Sequence, residues 1–445
     1  MAFGSFTYDA FATLAGWQLC RRSWRANARR SADERMAWQL ARLQRLLIDA
    51  GAHVPYYRRL FEEMGFNPAA DFRHLDDLAG LPTLSKDQVR EHADDLKRRP
   101  LPARAICERT SGSTGEPLAV WIAPAQIAVE KATVWRHWHW LGYRFRDPVA
   151  IVRTYVPRDG EPLWRYDRAR NFLYFSAYHL DECNATDFLR RVQRFRPRFL
   201  RGYPSSLAIL ADVAAARGVP VDGLKAVLTA SETLTDQVRA KLHTTFAAPV
   251  CDWYGLAEQV VTAAQCGHGD GLHCHDDYGI WELRPLDDGT GRCRIIGTNL
   301  HNTAMPLIRY ETGDLAVPGH ANRCPCGRTF PRIARVTGRE DDELIDPSGR
   351  RIPAVNFYSV FREFPAIRRF QMIQHRADLL EVRLDTGAWN ADDERELRHV
   401  LQDRIGRGMA LRLVRDREFE KNPQGKRRAV ISHVRRTKAR HEVTA

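Results

Sequence analysis

A chain of 445 residues with 44% hydrophobic and 10% aromatic side chains is too long for one ordinary core, and it has the apolar material for two or more packed domains. Its 68 basic residues outweigh 55 acidic ones for a formal net charge of +13, but the excess gathers at residues 20–30 and 421–441 and forms no dense stripe interleaved with aromatics, which argues against a nucleic-acid-binding protein. No apolar run reaches the roughly 18 uncharged residues of a membrane span; nine Cys without a secretory leader argue against a disulfide framework, so the expected compartment is reducing cytoplasm.

The opening MAFGSFTYDAFATLAGWQLCRR carries its basic residues after the apolar part, the reverse of a secretory signal. Phe3, Phe6, Phe11 and Leu14 recur at helical spacing; a helix packed on the core is expected, with peripheral contact to a membrane as the alternative. Residues 33–65 show a helical stripe of Ala37, Leu40, Leu43, Leu46 and Leu47, ended by the Pro of HVPYY. From about Arg104, short apolar runs alternate with helical stretches. VAIVRTYV (149–156), PRFLRGYP (197–204) and LKAVLTAS (224–231) read as buried strands, Leu207–Arg217 and Thr235–Phe246 as helices, and the alternation points to parallel α/β sheets. After Cys274 the texture of YGIWELRPL, GRCRIIGTNL and PLIRYETGDLAV is that of an antiparallel β subdomain, about 275–335. A polar break, VTGREDDELIDPSGRR (336–351), precedes an α+β unit with FQMIQ and LLEVRL as strands and ADDERELRHVLQDRI as a helix. The expected fold class is α/β, with a large N-terminal domain, 1–338, and a small C-terminal one, 339–445.

Chemistry enters at RTSGSTGEP (109–117). Two Gly and several hydroxyl residues give a loop rich in N–H and O–H donors, suited to wrapping a triphosphate. It lacks the spacing and the Lys of a Walker A loop. Downstream, in order, lie YGLAEQ (254–259), RYETGDLA (309–316), TGREDDELI (337–345) and NPQGKRR (422–428). Together these strings resemble the adenylate-forming superfamily of acyl-CoA synthetases, in particular its phenylacetate-CoA ligase and CapK-like branch. The resemblance extends to VPYYRRLFEEMGF, LAGLPTLSKDQVR, GYPSSL and LTASETLT, and so covers nearly the whole chain.

That resemblance implies roles residue by residue. Thr110, Ser111, Gly112, Ser113, Thr114 and Gly115 form the loop over the β- and γ-phosphates of ATP. Tyr254 and Gly255 lie beside adenine and Glu258 holds Mg²⁺, which favours hard oxygen ligands. The family often has Thr or Arg before that Glu; Ala257 stands there in this chain. Asp314 is the ribose ligand, since a carboxylate accepts from two vicinal hydroxyls. Arg339 lies near the ribose or α-phosphate, and residues 339–342 are where the superfamily bends to rotate a mobile C-terminal lid. Ser231 and Glu232 resemble the adenine loop on the substrate side. Lys426 matches the catalytic lysine. A carboxylate attacking a phosphate brings two anions together, and an ammonium between them stabilises the transition state. Only eight of the 68 basic residues are Lys, so a Lys here is a pointed choice.

QCGHGDGLHCH (265–275) and RCPCGRTF (323–330) concentrate four Cys and three His. A C-x-C pair with a distant Cys/His pair can supply a tetrahedral Cys₃His zinc site. The GLH and CPCGR strings resemble a site in parts of the same branch, which selects Cys266, His273, Cys324 and Cys326; Cys274, His268 and His275 are rivals. Four protein ligands leave no open position, so such a Zn²⁺ is structural.

The expected reaction is adenylation of a carboxylic acid by ATP, followed by acyl transfer to coenzyme A. The alternatives are a carrier protein's phosphopantetheine or an amine as acceptor, with a nucleic-acid-binding protein as the more distant rival. Tyr203, Trp253 and Tyr254 are candidate walls for an aromatic acid. The identity of that acid and the oligomeric state are not readable from the sequence.

Overall fold

The structure is a computed structural model. Apart from short gaps it describes 31–109, 118–336 and 343–434 with a few residues of 15–30; residues 1–14, 110–117, 337–342, 417–429 and 435–445 lie outside the described residues. The chain divides into a large unit, which runs to Thr110 and again over Leu118–Glu340, and a small one over Asp341–Ala445.

The large unit opens with α1 (Ala32–His53) and α2 (Pro55–Met64). Ser31 and Glu34 cap α1 reciprocally, and Gly65 ends α2 with a φ of 61°. The Pro of HVPYY therefore starts a second helix as well as ending the first, because its missing N–H costs nothing in a first turn. Leu43, Leu46 and Leu47 are buried as the stripe implies. Ala37 is exposed, and Arg35 and Gln39 are buried in its stead.

A hairpin of β1 (Ile106–Arg109) and β2 (Ala119–Ile122) is followed by α3 (Pro124–Trp140). Then come β3 (Val149–Arg153), β4 (Trp164–Asp167), β5 (Phe172–Ser176), α4 (Glu182–Phe195), β6 (Phe199–Gly202), α5 (Pro204–Arg217), β7 (Ala226–Ala230), α6 (Asp236–Phe246) and β8 (Val250–Gly255). The antiparallel strands are β9 (Thr262–Ala264), β10 (Leu272–Cys274), β11 (Gly279–Pro285), β12 (Cys293–Asn299), β13 (Tyr310–Pro318) and β14 (Arg332–Val336). β3 to β14 make one 12-stranded sheet in the order β11-β12-β13-β14-β10-β9-β8-β7-β6-β3-β5-β4. The run β8-β7-β6-β3-β5 is parallel, and the strands expected to form a β subdomain continue the same sheet.

The parallel strands are apolar on both faces, as a sheet covered by helices must be. Ala150, Val152, Leu173, Phe175, Leu200 and Val227 pack into one cluster with residues of α4, α5 and α6. Val149, Ile151, Phe172, Phe199, Ala226, Leu228 and Cys251 form the other with Trp138 of α3. Leaving β3, the chain moves outward to β5; from β6 it moves the opposite way to β7 and β8. The crevice between the carboxyl ends of β3 and β6 is thus the topological switch point of the parallel sheet.

The small unit contains a hairpin of β15 (Glu343–Ile345) and β16 (Arg351–Pro353), then β17 (Ile367–Arg376), β18 (Leu379–Thr386), α7 (Ala391–Ile405), β19 (Ala410–Arg415) and β20 (Val430–Ser432). Its four-stranded sheet has the order β19-β18-β17-β20. Asn390 and Asp393 form the capping box of α7, which buries Leu397, Leu401 and Ile405 against that sheet's core.

Candidate functional site

YGLAE closes β8 and opens the turn that follows it. The Tyr254 hydroxyl donates to Asp314 Oδ2 at 2.8 Å, joining two motifs sixty residues apart. Thr262 on β9 donates to the Tyr254 carbonyl at 2.7 Å, and Thr312 Oγ1 accepts from the Asp314 N–H at 3.1 Å. Burial, and next the Asp314 carboxylate, push the Tyr254 phenol well above its ordinary range, so it stays a donor. Gln259 turns the chain with a φ of 53°, its carbonyl accepting from Gln126 on α3 at 3.2 Å. That turn leaves Ala257 exposed and buries Glu258, whose Oε1 accepts from the Tyr310 hydroxyl at 2.9 Å. Tyr310 and Asp314 both sit on β13, so one antiparallel strand grips both ends of the motif. Glu258 provides a hard oxygen donor of the kind Mg²⁺ takes.

Ser231 follows β7 with a φ of 72°, and its hydroxyl accepts from Arg153 Nη2 at 2.6 Å. A non-glycine residue in that region is uncommon and tends to mark a functional segment. Glu232 lies beside it. The Arg153 guanidinium stacks over buried Tyr203 at 5.0 Å. Trp253 packs against the rings of His137 and His275 at 5.5 and 5.6 Å. Thr110, Ser111, Gly112, Ser113, Thr114, Gly115, Arg339 and Lys426 lie outside the described residues.

A second constellation lies on the antiparallel side. Cys266 Sγ, a His273 ring nitrogen, Cys324 Sγ and Cys326 Sγ all fall within 4.8 Å of one another. Cys266 and Cys324 are 3.5 Å apart, and Cys326 Sγ is 3.4 Å from His273 Nε2. Ligands about 2.0–2.3 Å from a tetrahedral zinc sit roughly 3.3–3.8 Å from each other, so the donor set fits the ion. Burial, and next the Arg328 and Arg332 cations, hold His273 down to about 4, hence neutral and able to ligate. Strand alternation decides between His273 and Cys274: His273 faces the thiols, while Cys274 points into the apolar core. His268 is exposed. His275 is committed elsewhere, its Nδ1 lying 2.6 Å from Arg136.

Sequence reasoning missed the polar scaffold behind this cluster. Arg136, with no exposed side-chain surface, pairs with Asp277 at 2.6 Å and stacks over Phe330 at 4.8 Å. Arg35 pairs with Asp276 at 2.8 Å and reaches the Thr329 carbonyl at 2.6 Å. α1 and α3 thereby tie the end of the segment carrying Cys324 and Cys326, at Thr329 and Phe330, to the Asp276–Asp277 turn. Polar residues inside apolar helical stripes were the available signal. A further buried acid, Asp252, accepts from Thr229 at 2.6 Å and is pushed up to about 6 by burial.

Residues 344–433 match the CapK C-terminal domain family. A phenylacetate-coenzyme A ligase from Thermus thermophilus is 29% identical over 333 residues, which cover 72% of this chain and 73% of the relative. Protein CapK from Staphylococcus aureus is 24% identical over 365 residues, 80% of each chain. A crystal structure of 2-hydroxyisobutyryl-CoA ligase, with 2-HIB-AMP and CoA in the thioesterification state, superposes with a TM-score of 0.61 at 23% identity, over 92% of each chain. At that identity the superposition establishes the fold.

Proposed function

We propose that this chain, a homologue of phenylacetate-coenzyme A ligases and of CapK, is an ATP-dependent acid–thiol ligase that works through an acyl-adenylate. The observation that carries the reading is the pairing of Tyr254 with Asp314 beside that of Tyr310 with Glu258. Two carboxylates from distant motifs are each held by a phenol of the other motif, at the carboxyl edge of a parallel sheet where such folds bind nucleotides.

In the first half-reaction an oxygen of the substrate carboxylate attacks the α-phosphorus of ATP. The bond from that phosphorus to the bridging oxygen breaks and pyrophosphate leaves with its electron pair. Asp314, oriented by Tyr254, accepts from the ribose hydroxyls and fixes the α-phosphate in line. The hydroxyls and N–H groups of 110–115 hold the β- and γ-phosphates, and Arg339 steadies the ribose side. Lys426 bridges the attacking oxygen and the α-phosphate, offsetting the repulsion between them. Mg²⁺ on Glu258 neutralises phosphate charge when bound. In the second half-reaction the thiol sulfur of coenzyme A attacks the acyl carbonyl, its proton passes to solvent and AMP leaves. Cys266, His273, Cys324 and Cys326 would hold a structural zinc, which would tie the segment after β13 to β10.

Pyrophosphate exchange into ATP, screened over aryl, fatty and amino acids with coenzyme A added second, tests the reading. Acid-dependent exchange followed by thioester formation is the expected result. Exchange that yields thioester only with a phosphopantetheinylated carrier protein transfers the assignment to carrier loading, and absence of exchange with every acid refutes adenylation.

A further inference from the structure

Two arginines stand in the crevice between β3 and β6. Ile151 pairs with Arg201, and Arg153 lies two residues further along β3, on the same face. Diagonal neighbours of this kind have Cα atoms about 7–8 Å apart, so two guanidinium forks reach one small anion. The face is otherwise mostly apolar, with Tyr174 and Ser176 of β5 in register beside Ile151 and Arg153. Ile151, Leu228 and Cys251 are its neighbours in register, and Arg201 lies over the Trp138 ring at 5.2 Å. Arg153 bonds Ser231 and stacks on Tyr203. Among the described residues neither arginine meets a carboxylate within ion-pair distance. Glu130 on α3 is an acid whose field reaches Arg201, and its carboxylate accepts from the Tyr278 hydroxyl at 2.6 Å.

A guanidinium surrounded by aromatic and aliphatic groups loses hydration that a stacked ring does not replace. Burial, and next the neighbouring Arg153, lower Arg201 to about 9, a direction that an arriving carboxylate reverses. The position also matters. Ser231, which Arg153 holds, stands at the end of β7, while Tyr254 ends β8 on the same edge. An acid whose carboxylate reacts at that edge extends its far end along this face, toward Arg153 and Arg201.

We propose that the acid this enzyme activates carries a second anionic group, a dicarboxylic acid in the simplest case, whose far carboxylate is received by Arg201 and Arg153. The inference rests on the adenylating reading and deepens it by naming the substrate class. Arg201 and Arg153 are then specificity-determining residues, because a planar fork binds a carboxylate through two parallel hydrogen bonds and an uncharged terminus leaves it unpaired.

Pyrophosphate exchange with matched pairs tests this: benzoate against terephthalate, phenylacetate against para-carboxyphenylacetate, hexanoate against adipate. In at least one pair the diacid is expected to exceed the monoacid in kcat/KM by about tenfold or more, the scale of a charge-assisted pair gained. R201Q and R153Q, each checked for a wild-type melting profile, are expected to bring that ratio down toward one. Since either arginine suffices as a probe, failure of one variant to fold leaves the other. Exchange with monoacids and no gain from a second carboxylate in any pair overturns the inference and leaves the adenylating function intact. A diacid preference untouched by both variants overturns the assignment to these arginines. Exchange with no acid of either kind overturns the reading beneath it.

Discussion

In the proposed reaction Lys426 carries the positive charge that bridges the attacking oxygen and the α-phosphate. Lys426→Ala is expected to lower acyl-adenylate formation by about 10²–10³-fold, the scale of removing one preorganised donor from developing charge. Thiol transfer from supplied acyl-AMP should survive better, because that step forms no new bond at phosphorus. Equal rates of pyrophosphate exchange in mutant and wild type would remove the lysine from the mechanism. At this scale the sequence was informative where function is local. Tyr254, Glu258 and Asp314 come together as their motifs imply, and so do the four Cys and His donors. Arg153 and Arg201 were illegible because their meeting depends on the register of two strands joined by a crossover. Each looks like an ordinary strand-end arginine until Ile151 is seen opposite Arg201. Trp253, read as a candidate pocket wall, turns out to pack on two histidine rings.

Elements supply the next level of specification. β9, β10 and β14 are only three to five residues long, too short to order the segment after β13 by ladder bonds alone. The Cys₃His cluster joins that segment to β10, so a metal bound there would add its binding energy to folding. Purified protein should hold about one zinc per chain by elemental analysis, as a single four-ligand site implies. Cys324→Ser should lose the metal and melt lower, by about 2 °C or less for each kcal/mol lost in a unit larger than 250 residues. Metal-free wild-type protein with the same melting temperature would count decisively against the site. α3 gives a pH test. His137 Nε2–H donates to the Gln265 carbonyl at 3.0 Å, and burial holds the ring down to about 3. The unfolded chain takes up that proton near pH 6.5 and the folded one does not, so stability falls as pH drops from 6.5 toward 3. The loss amounts to about 1.4 kcal/mol per pH unit for a fully buried ring. Asp252, raised to about 6, acts oppositely between roughly pH 4 and 6, because there the folded state holds the proton. His137→Gln keeps an amide donor for Gln265 and removes the titration. Its melting temperature should drop less than wild type's between pH 7 and 5, and parallel profiles would place the acid sensitivity elsewhere. The bounds of α7 were legible in ADDERELRHVLQDRI, and those around Pro55 less so, because there the same residue ends one helix and begins another.

The whole molecule divides between Glu340 and Asp341, inside the polar run that separates two differently patterned stretches of sequence. Each part has its own core: the apolar clusters around the 12-stranded sheet in the large unit, and the cluster of Phe357, Phe361, Phe370 and Leu397 in the small one. Separate cores permit a rigid-body rotation, because turning one unit against the other breaks neither. The proposed function makes use of that freedom. Lys426 belongs to the small unit, and its ammonium must approach the α-phosphate for adenylation and withdraw so that a thiol can reach the acyl carbonyl. A hinge for such a turn is a few residues that absorb a large change in φ and ψ, and Arg339, Glu340, Asp341 and Asp342 are polar enough to stay solvated through it. Proline fixes φ near −65° and removes an N–H, so Asp341→Pro is expected to restrict such a rotation. The variant should slow one half-reaction, thiol transfer being the expected one, and spare the other. Both are measured on one preparation, as pyrophosphate exchange and as transfer from supplied acyl-AMP. Equal loss in the two would mean general damage, and no loss in either would move the hinge out of this run.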